Sequence, residues 1–183
     1  MGLIWILGAA AWGVAEATVF FIVPDVLLTL AVFRFGLRCA LRLSVIAAAS
    51  ASLAGIAMWF WGHGDAASAR HAMLLVPAIG PHLLARAAQE MKSGWPLHLV
   101  LGAVTGVPYK LYAIEAGANG INPVLFAAMS FPARFTRFVL TAAVAAVGRA
   151  FANWIELPHW GYPGWALVWI AVYAFYFSMR AGA

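Results

Sequence analysis

The sequence predicts an all-α membrane protein, a polytopic helical bundle with two re-entrant or discontinuous helices around a central polar cavity. Three observations predict it. Of the 183 residues, 65% are hydrophobic and only 9% charged, where soluble domains carry about a quarter. The charges leave several apolar stretches close to the ~20 residues that a helix needs to cross a bilayer. Two of those stretches are interrupted mid-way by proline and ionisable residues. Trp, Tyr and Phe together make up 14% of the chain, enough to populate the membrane–water interfaces where amphipathic rings settle. The length suits one domain, residues 1–183.

Taken in order, residues 2 to 33 would form one long helix, except that Glu16 and the pair Pro24-Asp25 fall inside it. Leu43 to Trp61, between Arg42 and Asp65, is an uninterrupted span. Its run from Ala47 to Gly55 is a small-residue face that admits a neighbouring helix. His71 to Leu84 is apolar but short and carries Pro77, Gly80 and Pro81. The chain then turns amphipathic, with Arg86 and Glu90 at the spacing that pairs side chains on a helix. This reads as a kinked membrane segment ending in an interfacial helix. Residues 95 to 117 are apolar, with Gly106, Pro108 and Lys110 at mid-depth. Phe131 to Ile155, with Pro132 in its first turn, and Gly161 to Met179, opening with Pro163, read as a helical hairpin joined by Glu156 to Trp160. Arg149 is expected to snorkel toward that joint or to pair with Glu156.

Proline removes a helix donor, and an ionised side chain at the bilayer centre costs about 3 kcal/mol on insertion scales. Such breaks survive where they line a polar cavity. The two broken segments are therefore predicted to meet around one polar site. Orientation follows from Lys and Arg: Arg34, Arg38, Arg42, Arg86, Lys92, Arg134, Arg137 and Arg180 all fall on one side if the loops around Asp65 and Glu156 face outward. Arg70 alone falls on the wrong side. The side of Met1 is open, because a hairpin and a full crossing over residues 1 to 33 place it differently.

The formal charge of +5 is spread thinly between apolar runs, which excludes a nucleic-acid surface. Cys39 is the single cysteine, which excludes an intramolecular disulfide and a cysteine-based metal or cluster site. His63, His71, His82, His98 and His159 show no metal spacing, so neither a metal nor a cofactor is predicted. The N-terminal apolar stretch has no basic flank and runs on into Glu16, unlike a cleaved signal peptide. Gly2 does not open a myristoylation motif, since Ile6 stands where Ser or Thr is required.

Several residues have the chemistry for a site. Glu16 and Asp25 are carboxyls in apolar surroundings, suited to proton exchange near neutral pH; structurally, Glu16 would sit at a membrane edge and Asp25 would cap the half-helix Val26 to Phe33. Lys110 follows Gly106-Val107-Pro108-Tyr109, where an opened backbone can aim amides and an ammonium group at a phosphate headgroup; alternatively it snorkels to the nearer interface. Arg34, Arg38 and Arg42 recur every four residues on one helical face, for topology and anionic lipid or as a headgroup relay at the cytoplasmic mouth. Arg134 and Arg137 carry the same two readings. Gly102 and Gly106 have the spacing of close helix packing.

The segment Glu16 to Asp25 (EATVFFIVPD) resembles the first signature of the DedA family, also called the VTT or SNARE-associated Golgi superfamily. Gly106-Val107-Pro108-Tyr109-Lys110 with Ala116-Gly117 resembles the second re-entrant signature of a small DedA-like branch, and Phe131 to Arg137 the Arg-bearing start of the following helix. The resemblance covers most of the chain in order. It implies a membrane lipid transporter of the bacterial inner membrane that moves undecaprenyl phosphate or a phospholipid and depends on the proton gradient. Glu16 and Asp25 would be its acidic pair, and Lys110 stands where many members have arginine; Thr105 replaces an arginine beside Gly106.

The function expected from residues and resemblance together is transport of an anionic lipid, flippase- or scramblase-like, without catalysis. Lys110, Tyr109, Gly106, Arg134 and Arg137 would hold the headgroup, Glu16 and Asp25 would couple protons, and Arg34, Arg38 and Arg42 would contact headgroups at the cytoplasmic face. Two other classes compete. A membrane scaffold or assembly protein would use the small-residue face from Ala47 to Gly55. An intramembrane lipid phosphatase or protease needs a nucleophile beside a base, and Ser130 and Ser178 have no obvious base. The lipid, the direction of movement and the oligomeric state, a homo-oligomer included, are open at this stage.

Overall fold

The structure, a computed structural model, describes residues 2–77, 79–154 and 161–181, with side chains at all of these except 103–104 and 179–181. Every regular element among the described residues is helical: α1 (Leu3–Thr18), α2 (Asp25–Phe35), α3 (Leu37–Gly64), α4 (Ala66–Leu74), α5 (Pro81–Lys92), α6 (Trp95–Thr105), α7 (Tyr109–Ala118), α8 (Pro123–Trp154) and α9 (Gly161–Ala181). Two of these are long and apolar enough to cross a membrane: α3, of 28 residues, and α8, of 32.

Helix α3 is the spine, packed against α1, α2, α4, α7 and α8. Its small residues set how closely its neighbours come. Gly13 of α1 lies so near Ala47 and Ser50 that a Cβ there would overlap them, and Gly62 and Gly117 bring the backbones of α3 and α7 into direct contact. The small-residue face predicted from Ala47 to Gly55 thus takes α1 along one stretch and the Tyr109 ring, at Gly55, along another. Helix α7 is enclosed on every side, with Tyr109 to Gly117 all buried, which explains why its sequence shows no apolar stripe.

Both predicted breaks are present, and at each the chain folds back. The Trp5 and Phe35 rings meet edge-on at 4.9 Å and Gly8 faces Leu27, so α1 and α2, each packed on α3, touch through side chains, with residues 19–24 as the connecting turn. The Tyr112 ring of α7 covers Gly102 of α6 in the same manner. That close approach of α7 to α6 is the packing expected of Gly102, whereas Gly106 caps α6 at φ 80°.

Two local readings need correction. Arg34, Arg38 and Arg42 do not share one helical face, because Gly36, at φ 86°, ends α2 and places Arg34 on a different helix from the other two; all three are exposed. Pro132 is not in a first turn: α8 begins at Pro123, where Asn122 Oδ1 accepts the amides of Val124 (2.9 Å) and Leu125 (3.1 Å). An Asn-Pro pair before an apolar run is a helix start by capping and by the fixed φ of proline. Arg149 Nη1 donates to the Val32 carbonyl near the end of α2 at 2.6 Å, a favourable position for a cation. Glu156, the rest of the predicted joint and the Arg180 side chain lie outside the described residues.

Helix α9 docks on α2 through polar contacts. Trp165 and Trp169 both donate their indole N–H to Thr29 Oγ1 at 2.9 Å, and that hydroxyl donates to the Asp25 carbonyl at 2.7 Å. Away from these contacts α8 and α9 are covered with exposed apolar side chains, among them Val144, Val147, Leu167, Val168, Ile170 and Phe175.

Candidate functional site

The first break forms because Pro24 has no amide to continue a ladder and keeps its predecessor out of the helical region. An opened backbone surrounded by apolar side chains must find partners elsewhere. Three side chains supply them: Trp12 Nε1 donates to the Ile22 carbonyl (2.8 Å), the Val23 amide donates to the Tyr173 hydroxyl (3.0 Å), and Lys110 Nζ donates to the Phe20 carbonyl (2.6 Å). At the second break Gly106 adopts φ 80° as the left-handed cap of α6, its amide donating to Gly102. Pro108 is extended and starts α7. The lysine of the second break therefore reaches the tip of the first.

The charges at the breaks are buried and mostly paired. Glu16 is 5% exposed and Arg134 4%; Arg134 Nη2 donates to Glu16 Oε2. Asp25, 2% exposed, accepts from Arg137 Nη2 on Oδ2 at 2.7 Å, while its Oδ1 has no partner among the described residues. Asp25 does not cap α2, whose start carries no side-chain cap. The Arg134 guanidinium also lies over the Tyr109 ring, 4.6 Å from its centre, and over Phe138 at 5.1 Å, a placement that favours a cation electrostatically. Lys110 is 2% exposed and has no carboxylate within salt-bridge distance among the described residues.

These groups border a cavity of about 590 Å³. Glu16, Asp25, Lys110 and Arg137 are its charged lining; the tips of both breaks, Val100 and Leu101 of α6, Thr136, Leu140 and Thr141 of α8, and Val172, Tyr173 and Tyr176 of α9 are among the other residues that line it. The volume lies within the range of small-molecule sites. Tyr109 and Gly106 line it as well. The predicted headgroup and proton-coupling residues are thus brought together, with Arg134 just behind the cavity wall on its carboxylate. Arg34, Arg38 and Arg42 are not part of it.

Sequence reasoning missed the second layer. Arg70, expected to sit on the wrong side of the membrane, holds the buried Glu115 in a two-pronged bridge of 2.6 and 2.7 Å. Only the fold could show a pair separated by 45 positions. The Arg86–Glu90 pair, predicted by its spacing, is present at 2.7 Å, and Glu90 also accepts a hydrogen bond from Tyr112. Burial pushes the Glu90 carboxyl up, but the hydrogen bonds from Tyr112 and Arg86 outweigh it and hold the group below the usual carboxylate range.

The chain matches no model of a known protein family, no curated protein and no solved structure.

Proposed function

We propose that this chain is a multi-pass, DedA-like protein of the bacterial inner membrane that moves a lipid with an anionic phosphate headgroup between leaflets. The observation that carries the proposal is the cavity at which both helix breaks meet, lined by Glu16, Asp25, Lys110 and Arg137 together with hydroxyl-bearing and apolar side chains, within a molecule clad in exposed apolar side chains. The spanning window of α8 is only 11% buried, which fits contact with lipid better than the core of a soluble protein. At 1.5 Å per residue α1 and α2 measure about 24 and 16 Å, short of the ~30 Å hydrocarbon layer. Each pair of short helices is read as a re-entrant hairpin, with its opened tip in a wet chamber at mid-depth.

The charge layout suggests how protons and headgroup compete. With both carboxylates ionised, Arg134 and Arg137 are neutralised and Lys110 leaves the cavity with one unmatched positive charge, suited to one phosphate. Protonating Asp25 or Glu16 frees a guanidinium, whose planar fork binds phosphate through two parallel hydrogen bonds. A pH difference across the membrane then biases the side on which the headgroup is loaded.

Reconstituted vesicles carrying a fluorescent anionic lipid test this. The purified protein is expected to expose inner-leaflet lipid to an external quencher faster than empty vesicles do, with Lys110→Ala abolishing the gain and Glu16→Gln removing its pH response. Transport unchanged by both substitutions would remove the proposal.

A further inference from the structure

Three turns of the chain border the large cavity: residues 19–24 between α1 and α2, residues 106–108 between α6 and α7, and a third between α4 and α5, which contributes Val76, Pro77 and Ile79. Most of the other lining comes from α6, α8 and α9. Val100 and Leu101 of α6, Leu140 of α8 and Val172 of α9 line the cavity and are at the same time 40–59% exposed. A side chain that borders both an interior space and the outer surface marks the mouth of that space. Helices α6 and α8 pack on each other, whereas α9 packs on α2 and its contacts with α6 and α8 are sparse. It is held on α2 by the bonds of Trp165 and Trp169 to Thr29 and of Tyr173 to the Val23 amide, and by the Phe177 ring against Phe21 at 5.6 Å. The mouth is thus a gap between α9 and the wall that α6 and α8 form together.

The four exposed residues at this gap are aliphatic, and the helices beyond them stay apolar on the outside, at Val144 and Val147 of α8 and at Val168 and Phe175 of α9. The cavity behind holds Lys110, with no carboxylate in salt-bridge distance among the described residues, and the Asp25–Arg137 pair. A ligand that suits both regions is an amphiphile, with an anionic group for the ammonium and a hydrocarbon chain for the gap. A free phosphate ion passing the gap would lose hydration and find no hydrogen-bond donor there. A chain that leaves through it is never exposed to water. We infer that the gap is a side portal: the phosphate of the bound lipid sits at Lys110 while its hydrocarbon chain passes between Leu101, Leu140 and Val172 and remains in the bilayer.

The inference rests on the proposed reading of the cavity as a headgroup site, but not on movement between leaflets. A portal on the flank admits the lipid from the plane of the membrane, so its chain need not be drawn through the cavity. It also makes α9 the wall whose position sets the width of the gap, because the opposite wall is braced by the packing of α6 on α8. Selectivity then follows from the contacts at each end of the ligand. An ammonium–phosphate contact is charge-assisted and strong, whereas aliphatic contacts carry no direction. The portal is therefore selective for headgroup charge and tolerant of the chain.

Fluorescence quenching in phosphatidylcholine nanodiscs tests the portal. In a Cys39→Ala background, a bimane fluorophore is placed on Val172→Cys at the gap or on Leu53→Cys, an exposed α3 position that does not line the cavity. Phosphatidic acid brominated along its chains is expected to half-quench the label at position 172 at about a tenth of the mole fraction that brominated phosphatidylcholine needs, the factor one charge-assisted hydrogen bond supports. At position 53 the two lipids are expected to quench alike. Lys110→Gln, which can still donate to the Phe20 carbonyl, is expected to abolish the preference at 172, and Leu140→Trp, which narrows the gap, to reduce it. Equal quenching by the two lipids at position 172, or the same preference at 53 as at 172, would overturn the portal. Loss of the preference on adding inorganic phosphate would assign the site to a free anion and overturn the lipid occupant. If the protein moves no lipid between leaflets, the proposed transport falls, while quenching at 172 still decides the portal.

Discussion

Each buried ion at the breaks persists because something specific answers it. Moving a charge out of water costs several kcal/mol, and only a close, well-hydrogen-bonded partner offsets that cost. Glu16 with Arg134 and Asp25 with Arg137 meet this requirement across more than 100 positions of sequence. The expected asymmetry is testable in detergent-solubilised protein by thermal unfolding. Arg134→Met alone leaves Glu16 buried without its hydrogen-bonded partner and is expected to destabilise by roughly 3–5 kcal/mol, whereas the double variant Arg134→Met with Glu16→Gln should recover most of that loss. Equal losses in the single and double variants would mean that the pair does not carry the cost. Lys110 has a double task, since its ammonium group both satisfies the Phe20 carbonyl and faces the cavity.

At the scale of elements, backbone proximity is set by glycine. Gly62 and Gly117 each face backbone of the opposite helix where α3 and α7 touch, whereas Gly148 on α8 faces open space. Gly117→Val is expected to separate the two helices and lower the unfolding temperature sharply. Gly148→Ala should be neutral or stabilising by up to ~1 kcal/mol from helix propensity. Similar unfolding temperatures for the two variants would contradict the close α3–α7 contact. Much at this scale could be read from sequence. Pro24 and the Gly106–Pro108 pair marked the breaks, since the residues that interrupt a ladder are local and strong. The uninterrupted run after Arg42 and the Arg86–Glu90 spacing marked α3 and the pairing on α5. The start of α8 was misplaced because Pro132 looked like a first turn, when Asn122-Pro123 held the actual start. The continuity of Arg34 with Arg38 failed at Gly36, since a four-residue period says nothing about a residue with positive φ between its members.

For the whole molecule, the partners of the charges were not legible. The sequence placed Glu16, Asp25, Lys110, Arg134 and Arg137 among the functional candidates, but nothing local distinguishes an arginine that binds a headgroup from one that neutralises a carboxylate more than 100 residues away. Arg70 and Glu115 show the same limit, as do Tyr112 and Glu90, because each pair is made by packing of α7 against α4 and α5. The exposed apolar cladding of α8 and α9 and the enclosed charges invert the usual arrangement of a water-soluble protein, and the proposed transport requires that inversion to continue into a bilayer with a wet centre. Cysteine scanning in membrane vesicles measures it most directly. In a Cys39→Ala background, single cysteines at Phe20, Val23 and Val107 are predicted to react with a small membrane-impermeant thiol reagent, while cysteines at Val144, Leu167 and Ile170 stay unreactive. Unreactive positions 20, 23 and 107 together with reactive positions 144, 167 and 170 would contradict it.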